Sequence, residues 1–117
     1  MEKIIVYGIP NCDSVKKAMD CLKNNNIEFD FHNYKKEGIN KKTLVEWCKQ
    51  VGWELLLNKK GTTWKKISPQ YEGIQINQKI AIDIMLENTS AIKRPVIIGP
   101  KLFLVGFDEE KIKLINH

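Results

Sequence analysis

A chain of 117 residues has the length of one domain and is large enough to bury about two-thirds of its unfolded surface. No apolar run approaches the ~20 residues of a membrane helix and the N-terminus has a strand pattern rather than an export signal, so the expectation is a cytoplasmic protein without a membrane partner. The net charge of +5 rests on lysines set in scattered pairs (16–17, 35–36, 41–42, 59–60, 65–66), the pattern of solvated faces rather than of a nucleic-acid surface, and three cysteines with no C-x-x-C fit neither a disulfide framework nor a zinc site.

In chain order, Ile4-Ile5-Val6-Tyr7 is β-branched and aromatic without a break, which predicts a strand over 3–7 buried on both faces; Gly8, Pro10 and Asn11 stop it. Val15, Ala18, Met19 and Leu22 then recur on one helical face. Cys12 stands where that strand delivers the chain to the helix N-terminus, where unpaired N–H groups and the helix dipole stabilise a thiolate. Asp13 opposes that effect, so the depression of the thiol is expected to be moderate. Ser14 either hydrogen-bonds the sulfur or caps the turn, and capping is the preferred reading.

Phe29 and Phe31 alternate with Glu28, Asp30 and His32, so a second strand over 28–33 follows, parallel to the first. His32 ends it on the polar side and reads as a solvated residue. Tyr34 to Gly38 reads as a charged connection. Asn40 is placed to cap a helix with Leu44, Trp47, Cys48 and Val51 inward, ended by Gly52; Cys48 is then a packed small residue. Trp53 to Leu57 gives a short helical turn, and Thr62 or Thr63 caps another through Trp64 and Ile67, stopped by Ser68-Pro69. Asn77 opens a helix with apolar residues at 80, 81, 82, 84, 85 and 86, which needs cover on two sides. Val96-Ile97-Ile98 and Leu102 to Val105 read as an antiparallel hairpin, and Asp108 caps a last helix with Ile112 and Ile115 inward.

The expected architecture is α/β. Residues 1–34 and 91–117 form a mixed four-stranded sheet with flanking helices, and an all-helical insertion at about 36–90 completes a single domain, 1–117. Of the 19 basic residues only Arg94 is an arginine, and it stands immediately before Pro95. There a planar two-pronged donor holds a carboxylate or oxyanion as lysine does not; the alternative is an ordinary surface arginine.

That order of elements, with a cysteine at the first strand-to-helix turn and a proline opening the third strand, resembles the thioredoxin fold, and the helical insertion resembles its arsenate reductase C and Spx branch. Tyr-Gly-Ile-Pro-Asn-Cys-Asp (7–13), Gly-Trp-Glu-Leu-Leu-Leu-Asn (52–58), Gly-Thr-Thr-Trp (61–64) and Ile-Lys-Arg-Pro (92–95) are similar to the YffB-type subgroup, regarded as glutathione-dependent thiol reductases. The resemblance implies Cys12 as nucleophile, Arg94 as the arginine contacting substrate or glutathione, and Pro95 as a cis proline facing the thiol. It also implies Lys60, Asn11 and Ser14 as further binding residues. Glutathione would be a co-substrate, with no bound cofactor and no metal, and the other substrate an oxidised thiol or an oxyanion.

Departures from the branch narrow the activity. Lys60 and Phe107 fall where related arsenate reductases keep arginines, a poorer cage for a tetrahedral oxyanion. Val15 replaces the second cysteine of Spx-type regulators, and Cys21 is roughly 13 Å further along the helix by rise alone, so disulfide chemistry at Cys12 is expected with an external thiol. The rival reading is a Spx-like regulator docking on the RNA polymerase α subunit through the region of Gly52.

Overall fold

The computed structural model describes residues 4–115; Lys3, the expected start of the first strand, and residues 116–117 lie outside the described residues. In chain order the elements are β1 (Ile4–Gly8), α1 (Asp13–Asn24), β2 (Phe29–Asn33), α2 (Tyr34–Glu37), α3 (Lys41–Val51), α4 (Trp53–Leu56), α5 (Thr62–Ile67), α6 (Gln78–Glu87), β3 (Val96–Gly99), β4 (Leu102–Val105) and α7 (Glu109–Leu114). The chain divides into two compact units, Met1–Glu37 with Arg94–His117, and Gly38–Lys93.

The first unit holds a mixed sheet in the order β2-β1-β3-β4, with β1 and β2 parallel and the other pairs antiparallel. The alternation of β1 puts Ile4 and Val6 on the face that receives Val15, Ala18 and Leu22 of α1, with Ile97 of β3 and Ile112 of α7 in the same core. Burying each of these branched side chains contributes about 1.5–3 kcal/mol. The expectation of a first strand buried on both faces is corrected: Ile5 and Tyr7 are only half-buried, and Tyr7 packs against the His32 ring of the neighbouring strand. The expected charged connection after β2 is also corrected. Tyr34–Glu37 is a turn of helix with Tyr34 buried, since the Asn33 side chain accepts the Lys35 N–H at 3.0 Å and Glu37 reaches back to the Asn33 N–H at 3.2 Å.

Gly8 lets strand and helix approach closely. A Cβ built there would lie 2.6 Å from Cγ2 of Val15, which is fully buried and stiff at χ1. Gly8→Ala is therefore expected to destabilise the protein by about 1–3 kcal/mol, read as a lower urea midpoint at unchanged slope. An unchanged midpoint would mean that α1 shifts freely against β1.

The second unit is helical, and among its described residues the strand-like feature is one bridge, Leu57 to Ile92. Asn40 caps α3 by accepting the Thr43 N–H at 2.8 Å, Gly52 follows with φ of 86°, and Asn77 caps α6 by accepting the Ile80 N–H at 2.9 Å. Ala81, Ile82, Ile84 and Met85 are buried, which gives α6 its cover on two sides. One boundary differs from the sequence reading: Gly61, rather than Thr62 or Thr63, occupies the N-cap of α5, without a side-chain bond. The helix ends at Ile67, before Ser68-Pro69 as expected, and proline is then tolerated in the first turn of the 3-10 segment Ser68–Tyr71 that follows. Among the described residues no helix is long and apolar enough to cross a membrane.

Candidate active site

Strand register gathers the candidate residues at one end of the sheet. Gly8, the last residue of β1, lies opposite Asn33, the last of β2, and Tyr7 lies opposite Val96, the first of β3, whose other neighbour is Val105, the last of β4. The turn carrying Asn11 and Cys12, the start of α2, the Arg94-Pro95 approach to β3 and the Gly106-Phe107 exit from β4 therefore share that end. The Gly106 N–H donates to the Pro95 carbonyl at 2.7 Å and ties two of these segments together.

Cys12 is itself the N-cap of the twelve-residue α1, with extended backbone (φ −131°, ψ 122°) and a carbonyl that accepts the Lys16 N–H at 3.0 Å. Among the described residues no side chain hydrogen-bonds into the cap. The half-buried Cys12 thus occupies the position that a capping serine or aspartate takes, at the start of a helix whose first-turn N–H groups no described side chain caps, and it packs against the core of its unit. This corrects the capping role expected of Ser14, which is the second residue of α1 and half-buried: the helix starts one residue too early for its side chain to reach back over the first turn. Asn11 is exposed in the turn before the thiol.

The Arg94–Pro95 peptide bond is cis, Pro95 is fully buried, and Arg94 is half-buried. Beside them lies a cluster that sequence reasoning missed. The Tyr7 and His32 ring centroids are 4.7 Å apart, those of Tyr7 and Tyr34 6.2 Å, and those of His32 and Tyr34 5.8 Å. His32 is not the solvated strand end expected of it: its side chain is 25 % exposed, packs against both tyrosines, and approaches Glu37 to 3.8 Å. The available signal was the parallel pairing itself, which sets Tyr7 and His32 side by side. Burial pushes the Tyr34 phenol strongly up, helped by Tyr7 and opposed by the Arg94 guanidinium; burial and then Glu37 raise Tyr7.

The Tyr34 shift has a consequence at high pH. In the unfolded chain this phenol ionises near 10.0, in the folded protein only well above that, so the unfolded state releases its proton first as pH rises. The stabilisation is complete below pH 10 and is lost above it. The expected loss is about 1.4 kcal/mol per pH unit from this group, and Tyr34→Phe removes that slope. Denaturant unfolding between pH 9 and 11 checks it: equal slopes for wild type and variant would contradict the assignment.

Lys60 belongs to the other unit, exposed in the turn that runs from Asn58 to Gly61, where its N–H donates to Asn58 Oδ1 at 3.1 Å. Its neighbour Lys59, which the sequence reading passed over, lies 5.4 Å from the Trp53 ring centroid and 5.8 Å from that of Trp64, a double cation–π contact that ties the turn to α4 and α5. Phe107 packs half-buried against the core of the first unit. All three cysteines are free, and among the described residues no group of three or more His, Cys, Asp or Glu is placed to hold a metal.

A family model described as the ArsC family matches residues 7–115. The chain belongs to the ArsC family. The solved structure of the YffB protein is 38% identical with a TM-score of 0.87, over 93% of this chain and 95% of that one. That of an arsenate reductase (ArsC) related protein from Brucella melitensis is also 38% identical, with a TM-score of 0.76 over 96% and 92%. The global transcriptional regulator Spx 2 of Lactococcus lactis is 30% identical over 112 residues, 94% of this chain and 83% of its own length. The ArsC/Spx relationship and the YffB-type resemblance seen in the motifs are thus shown, and with them the α/β thioredoxin-like fold.

Proposed function

We propose that this ArsC-family protein is a glutathione-dependent thiol/disulfide reductase that acts through Cys12 as its single nucleophile. The observation that carries the reading is the thiol in the N-cap position of α1, at the sheet end that also receives Arg94 and Pro95. The Cys12 thiolate attacks the glutathione sulfur of a mixed disulfide, R–S–S–G; that S–S bond breaks, a Cys12–glutathione disulfide forms, and R–S⁻ leaves to take a proton from water. A second glutathione thiolate then attacks the glutathione sulfur of that adduct, restores the Cys12 thiolate and leaves as oxidised glutathione. The net reaction reduces R–S–S–G to R–SH at the expense of one further glutathione.

Arg94 holds a carboxylate of the tripeptide in this scheme, with Pro95, Asn11 and Ser14 of the same unit lining the approach. An external resolving thiol is required because Val15 is buried and apolar and Cys21 is buried along the helix. Arsenate is a less suitable substrate, since Phe107 brings an apolar side chain to the site end where a second guanidinium would serve an oxyanion.

Similarity to a global transcriptional regulator supports a second reading, a regulator that docks on the RNA polymerase α subunit, with Gly52 in the docking region. One pair of assays separates them. The purified protein is given a glutathionylated substrate and glutathione, with oxidised glutathione followed by a coupled reductase, and in parallel is tested for capture of the polymerase α subunit. Turnover above the uncatalysed rate without capture supports the reductase; capture without turnover overturns it.

A further inference from the structure

Tyr34 is 2% exposed, and its hydroxyl is buried with no hydrogen-bond partner among the described residues. A buried unpartnered hydroxyl weakens a fold, and phenylalanine would fill the same volume without that penalty, so the oxygen calls for a role outside the static core. Its place supplies one. Tyr34 follows Asn33, which lies opposite Gly8, and so leaves the sheet beside the turn that carries Cys12; Arg94 enters through Pro95 and Val96, which lies opposite Tyr7. The Tyr34 ring is 6.2 Å from that of Tyr7 and 5.8 Å from that of His32, and the Arg94 guanidinium is close enough to act on the phenol electrostatically.

We propose that Tyr34 is a positioning residue for Arg94, its hydroxyl oxygen accepting one guanidinium N–H while the two-pronged edge of the guanidinium engages a carboxylate of the thiol co-substrate. A guanidinium has five N–H donors, and a bidentate carboxylate uses two; any other N–H that is turned toward the buried Tyr34 side needs an acceptor there, or the fork turns away from its ligand. Burial keeps the phenol protonated, so its oxygen serves as a neutral acceptor that does not compete as an anion with the incoming carboxylate. The inference rests on the reading of Arg94 as the glutathione-contacting residue.

The test is a double-mutant cycle with Tyr34→Phe, Arg94→Lys and the pair, reading kcat, the KM for glutathione and the thermal midpoint. Tyr34→Phe is expected to raise the KM about tenfold with kcat within about twofold, without lowering the midpoint, and to have no further effect in the Arg94→Lys background. A KM unchanged by Tyr34→Phe, a midpoint lowered by several degrees, or equal effects in both backgrounds each overturns the proposal; the last two would mean a structural hydrogen bond or a role independent of Arg94. Arg94→Lys raising the KM while Tyr34→Phe leaves it untouched removes Tyr34 alone. Arg94→Lys without effect removes the reading of Arg94 as well.

Discussion

Cys12→Ser is expected to reduce glutathione-dependent turnover about a thousandfold or more, roughly 4 kcal/mol of transition-state stabilisation, while leaving the fold within about 1 kcal/mol of wild type. Both steps of the proposed cycle pass through this sulfur, and a serine hydroxyl forms no disulfide. No other thiol substitutes for it, because Cys21 and Cys48 are buried along α1 and α3. Burial pushes both of those thiols up, with Glu109 adding to the effect at Cys21 and Glu54 at Cys48, so less thiolate is present at neutral pH. Serine is also a favoured N-cap residue, so α1 keeps its start. Steady-state rates and a urea titration on the same preparation check both halves. A variant that is folded and still active would move the chemistry away from Cys12.

Arg94→Lys is expected to lower kcat/KM about tenfold or more, the ~1.5–3 kcal/mol of a charged hydrogen bond, with most of the change in the KM for glutathione. The substitution keeps one positive charge and removes the fork, so it isolates geometry from charge. The position is constrained by its surroundings: Pro95 after it is fully buried and its carbonyl is held by the Gly106 N–H at 2.7 Å, so the backbone that carries residue 94 has little freedom to adapt to a shorter, single-pronged donor. Kinetics indistinguishable from wild type would assign Arg94 to the surface.

Most of the sheet and every long helix were legible in the sequence, because apolar periodicity and capping residues are local signals. Asn40, Asn77 and Asp108 each accept a first-turn N–H as their positions implied, with Asp108 receiving the Lys111 N–H at 3.2 Å. What sequence periodicity did not give was the half-buried character of Ile5 and Tyr7, since an unbroken β-branched run looks alike whether its second face is fully or partly covered. It also did not give Tyr34 as a buried residue. That side chain belongs to a four-residue helical turn too short to show a period, set up by Asn33 and Glu37. The position of Cys12 at a helix start was readable from the strand, turn and helix around it. The Tyr7–His32–Tyr34 group required strand register, which places residues about 25 apart in sequence side by side.

The decisive measurement for the role of Cys12 is the identification of the cysteine that carries glutathione. The folded protein is incubated with oxidised glutathione, remaining thiols are blocked under denaturing conditions, and the digest is mapped by mass spectrometry. One glutathione adduct is expected, on Cys12, with Cys21 and Cys48 recovered as blocked free thiols. An unmodified Cys12, or an adduct on Cys21 or Cys48 while the protein is still folded, would contradict that role.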